Sequence, residues 1–99
     1  MYSCSAFQNE FIRWKKGRRC QKTDDNVLET FAFRSENITE VYAALDRCEK
    51  YCSFNYNCWG CSVSIENSGQ LTAISECNGH EIWTGLIEGD ISQKPGRNI

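Results

Sequence analysis

Apolar positions along the chain follow two different periods, and the change between them separates one helix from several strands. Val41, Leu45, Cys48 and Cys52 recur at i, i+4, i+7 and i+11, along one face of a helix. Asn37 followed three residues later by Glu40 has the form of a capping box, which predicts a helix from about Ile38 to Cys52. Val27 to Arg34 (VLETFAFR) is rich in β-branched and aromatic residues and predicts a strand. Further strands are expected over Trp59 to Ile65, Gln70 to Glu76 and Glu81 to Ile87. Glu66 to Gly69 (ENSG) and Asn78-Gly79 supply hairpin turn chemistry between them. Residues 1–12 fit a helical stripe or an edge strand, the strand being preferred, and Thr23 to Asn26 form a polar loop. The fold class is α+β, one helix packed across an antiparallel sheet. Residues 1–19 form an extension with a basic segment, 20–90 the domain, and 91–99 a tail with Gly and Pro that is irregular or carries one more short pairing.

The length of 99 residues supports a single core. Seven cysteines in so short a chain predict a disulfide framework made in an oxidising compartment, hence a secreted protein. Each bridge is worth roughly 2–4 kcal/mol on the chain-entropy model, a large share of a small domain's stability. The odd count leaves at least one thiol free or paired between chains, which would make a homodimer. Residues 1–20 contain no apolar run of signal-peptide length, so a secreted origin implies the mature form. No stretch approaches a membrane span, and no membrane insertion is expected.

Charge adds a functional candidate. The net charge is −2 and the pI about 5.3, yet six of the eleven Lys and Arg lie in residues 13–22. Arg13, Lys15, Lys16, Arg18, Arg19 and Lys22 crowd around Trp14, with Gly17 as the turn. Like charges this close repel, so an anionic partner is favoured by relief of repulsion and by counterion release. A sulfated polyanion suits an extracellular chain; nucleic acid does not. The competing view is a solvated basic loop.

The cysteine order is Cys20, then Cys48-x3-Cys52-x5-Cys58, then Cys77. With the strand TGLIEGDI near the end, this resembles the PAN/apple domain family from about Cys20 to Asp90. The resemblance implies the bonds Cys48–Cys77 and Cys52–Cys58, and a non-catalytic binding domain, of a kind that includes heparin binders. The family's partner for Cys20 would lie near the C-terminus, where this chain has no cysteine. Cys4, Cys20 and Cys61 are then left over; Cys4–Cys20 is the favoured pair, with Cys61 free or intermolecular.

Other chemistry is poorly supported. Cys48, Cys52, Cys58 and Cys61 contain a C-x2-C zinc half-site, but only five residues separate Cys52 from Cys58 and two of the four lie within the helix. No metal or cofactor is expected. Trp14, Trp59 and Trp83 are candidates for a sugar platform, Trp14 the most exposed, while Trp59 is expected to pack on the disulfide of its neighbour Cys58. Asn37-Ile38-Thr39 is a glycosylation sequon as well as a helix cap, with the cap preferred. His80 stands in a turn, and Asp24-Asp25 in a polar loop, without partners for acid–base or nucleophilic catalysis. The expected function is a non-catalytic extracellular module that binds a protein or glycan. A diffusible pheromone- or toxin-like signal and an intracellular zinc-binding adaptor are the alternatives.

Overall fold

A computed structural model describes residues 11–14, 16–65 and 68–94. Among the described residues seven strands and one helix follow in order: β1 (Ile12–Arg13), β2 (Arg18–Cys20), β3 (Val27–Ala32), α1 (Ile38–Phe54), β4 (Gly60–Ser64), β5 (Gln70–Ile74), β6 (His80–Ile82) and β7 (Ile91–Gln93). Five strands form one antiparallel sheet in the order β1-β7-β4-β5-β3, and β2 pairs with β6 in a separate two-stranded ribbon.

Helix α1 begins where the capping chemistry places it. The Asn37 side chain accepts hydrogen bonds from the Thr39 and Glu40 amides. Val41, Ala44, Leu45, Cys48 and Cys52 are buried against the sheet. Strand alternation then sorts the sheet into two faces. Cys61, Val63, Leu71 and Ala73 meet the helix in the main core, with Phe31 and Tyr51 packed at its margin. Ser62 and Ile91 point the opposite way, and the ribbon covers that side: the Cys20 amide donates to Ser62 Oγ at 2.9 Å. A second, smaller core forms there from Cys20, Trp59, Ile74 and Ile91. The sheet is thus sandwiched between a helix and a ribbon.

Three disulfides tie these layers together: Cys48–Cys61, Cys52–Cys58 and Cys20–Cys77. Two expected pairings are corrected. Cys48 takes Cys61, because Cys61 lies on the helix-facing side of β4 directly under α1. Cys77 instead leaves β5 toward the ribbon, where it meets Cys20, so Cys20 is not available to Cys4 and Cys61 is not free. Cys4 itself lies outside the described residues.

Two elements also differ from expectation. Asn78-Gly79 does not close a hairpin, because after Ile74 the chain crosses to the other layer and His80–Ile82 pairs with β2. The expected strand over Glu81 to Ile87 accordingly stops at Ile82. The tail carries the further short pairing: residues 91–93 form a buried strand between β1 and β4, so the sheet continues past residue 90. Among the described residues no helix is long and apolar enough to cross a membrane.

Candidate functional site

The basic segment runs along β1, the turn at Gly17 and β2, and the fold divides its charges. Gly17 has φ +82°, a left-handed conformation suited to glycine, and this turns the chain from Trp14 into the ribbon. Arg13 reaches the helix, where its Nη2 lies 3.3 Å from Glu49 Oε1. Arg19 pairs with Glu81 at 2.8 Å, donates to Ser64 Oγ, and lies with its guanidinium carbon 5.9 Å from the centre of the Trp83 ring. These two arginines are committed internally. Lys16 and Arg18 are exposed, Lys22 is half-buried, and none of the three makes an ion pair among the described residues. Lys15 lies outside the described residues.

Further backbone bonds extend both layers: the Trp14 amide donates to the Ile91 carbonyl at 2.6 Å beyond the β1–β7 pairs, and the Gln21 amide to the Gly79 carbonyl at 2.8 Å beyond the β2–β6 pairs. Asn26, fully buried, accepts from the Thr23 amide and donates to the carbonyls of Gln21 and Glu76, so the exit from β2 is fastened beside Cys77. At the other end the Gly17 amide donates to Asp90 Oδ2. Asp90 is 1% exposed. Burial pushes its carboxyl above the ordinary range, against the opposing pull of the Gly17 amide, the Lys16 charge and the Ile87 amide.

Where β1, the ribbon and β7 meet, Trp14, Arg18, His80 and Ile91 line a cleft of about 220 Å³. Trp14 is half-buried rather than free in solvent. Its ring lies 6.2 Å from Trp59 and makes an edge contact with His80 at 4.6 Å. Trp59 packs in the core of Cys20 and Cys77, while its sequence neighbour Cys58 belongs to the core on the helix side, as successive residues of extended chain point to opposite sides. Arg18 and His80 form the polar rim. In the ribbon Arg18 faces Ile82 and Cys20 faces His80, so Arg18 and His80 are diagonal neighbours on one side.

The structure therefore brings together Trp14 and Arg18 from the basic segment and adds His80 and Ile91, neither of which sequence reasoning selected. Ile91 falls in the segment read as the tail, and His80 joins the site only through the pairing of β6 with β2. Trp83 lies apart, under Arg19. The four sulfurs considered for zinc are consumed in two bonds. Comparison with family models, with characterised proteins and with solved structures finds no match to this chain.

Proposed function

We propose that this chain is a non-catalytic extracellular module that binds an anionic partner, a sulfated glycan first of all, where the β2–β6 ribbon meets β1 and β7. The observation that carries this is the division of the basic segment. Arg13 and Arg19 answer buried or half-buried carboxylates, while Lys16 and Arg18 remain exposed beside an aromatic cleft. Exposed cations that make no ion pair among the described residues draw polyanions by counterion release and by relief of their mutual repulsion.

The extracellular assignment rests on three disulfides in a small domain, which form and persist outside the reducing cytosol. They also occupy the thiols that a cytosolic zinc adaptor would need. Kinship with the PAN/apple domains belongs to the same proposal. It is supported by a helix fastened to a sheet through a C-x3-C pair, and the Cys48–Cys61 bond is its point of departure.

Retention on a heparin column tests the proposal. The chain is expected to elute well above the salt that releases other proteins of pI near 5.3. Replacing Lys16, Arg18 and Lys22 together by Gln should abolish that excess. Elution of the unmodified chain with ordinary acidic proteins would refute it.

A further inference from the structure

We infer that the cleft lined by Trp14, Arg18, His80 and Ile91 seats a single sugar ring bearing one acidic substituent. This rests on the ribbon being an anion-binding face, and it adds the shape and class of the group recognised.

Size is the first argument. About 220 Å³ is below the ~300–1,000 Å³ of sites for drug-sized ligands, and it suits one ring rather than a length of chain. The lining supplies the second. The half-buried Trp14 indole, backed by the fully buried Ile91, gives an apolar surface against which the C–H face of a pyranose can lie. None of the four lining residues is acidic, so nothing in the lining repels an anion.

Placement of the donors is the third. Arg18 and His80, as diagonal neighbours on one side of an antiparallel pair, sit at a separation of about 7–8 Å between backbone positions. Their side chains can therefore converge on one substituent. The Arg18 guanidinium presents the paired donors that match a carboxylate or sulfate, and the His80 ring offers another N–H. Trp14 is already held by Trp59 and His80 and by its amide bond to Ile91, so its surface is fixed before a ligand arrives. Such preorganisation reduces the entropy lost on binding. The Cys20–Cys77 bond ends beside the same cluster and keeps both ribbon strands in place.

The test is an NMR titration of the isotope-labelled full chain with three probes: a sulfated uronate-containing disaccharide, an uncharged disaccharide and sodium sulfate. The sulfated disaccharide should move the Trp14 indole and His80 ring resonances saturably, with sulfate at least tenfold weaker and the neutral sugar silent. Arg18→Gln and His80→Gln, both at exposed positions, should each weaken binding by about tenfold, the loss of one charge-assisted or well-placed hydrogen bond. Lys50→Gln, on the exposed side of α1 across the sheet, should change nothing. Sulfate acting as strongly as the disaccharide would overturn the ring-binding claim. So would Trp14 and His80 resonances that stay still while heparin retention persists, and that result would leave the wider anion-binding proposal standing. Loss of retention and of the titration together would end both.

Discussion

Arg13, on the edge strand β1, holds Glu49 of helix α1 through two long hydrogen bonds of 3.3 and 3.4 Å, and Ser92 of β7 donates to the same carboxylate. Glu49 is 7% exposed and lies within the buried side of the helix. Removing its cationic partner leaves a buried carboxylate with one hydroxyl donor. Arg13→Met should cost about 1–3 kcal/mol, read as a lower urea midpoint at unchanged m. Arg13→Met with Glu49→Met should cost less than the two single changes summed. Heparin retention should hardly move with Arg13→Met, because this arginine already has an anionic partner.

Peptide mapping under non-reducing conditions should find Cys20 joined to Cys77, Cys48 to Cys61 and Cys52 to Cys58. The sequence separations of 57, 13 and 6 residues correspond on the chain-entropy model to about 4, 3 and 2 kcal/mol. Six of the seven cysteines are consumed, so one thiol per chain, at Cys4, should react with an alkylating reagent or be found in a bond between chains. Reaction at Cys48 or Cys61 in the folded protein would contradict the structure.

Mild reduction should open the bridges in a defined order. Cys77 is half-buried, whereas the other five bonded cysteines are fully buried. Cys20 and Cys77 should therefore be trapped first, with the far-ultraviolet signal of α1 retained and the response of Trp14 to ligand lost.

Gly60 marks the tightest approach in the sheet. A Cβ there would fall 2.1 Å from the Ser92 carbonyl oxygen and 3.1 Å from Gln93 Cα, both backbone atoms that cannot rotate aside. Gly60→Ala must push β7 away from β4, and a loss at or above the usual overpacking cost of about 1–3 kcal/mol is expected. Gly79→Ala, facing only the end of the Gln21 side chain at 3.1 Å, should be far milder.

Asp90 gives the fold a pH dependence whose sign follows from its environment. Its folded pKa lies above the unfolded value near 3.9, chiefly through burial. Such a carboxyl favours the fold fully below that unfolded value, and the contribution is lost as pH rises through the folded pKa. Asp90→Asn keeps an acceptor for the Gly17 amide and removes the buried charge. It should raise the urea midpoint at pH 7 and leave it nearly unchanged at pH 3.

Much of this architecture was legible because its signals are local. The Asn37 cap and the stripe Val41, Leu45, Cys48 and Cys52 define α1, and the β-branched and aromatic content of VLETFAFR and the strand read over Trp59 to Ile65 mark β3 and β4. What escaped depends on contacts distant in sequence. Asn78-Gly79 carries turn chemistry wherever it occurs, and nothing nearby shows that Cys77 is drawn to Cys20 rather than to the helix. Glu49 did carry a signal: it follows Cys48 and stands four residues after Leu45, on the apolar side, where a carboxylate needs a partner. The cleft was only half visible, since Trp14 and Arg18 are neighbours in sequence while His80 and Ile91 join them through the ribbon and the last strand.

That last strand also bears on biosynthesis. Residues 91–93 occupy a slot between β1 and β4, so the five-stranded layer has a gap until they are available. During synthesis the helix and its two nearby bridges can assemble early, but among the described strands β1 has only β7 to join. Truncation at residue 90 would therefore detach β1 along with β7, and with them the wall and floor of the cleft.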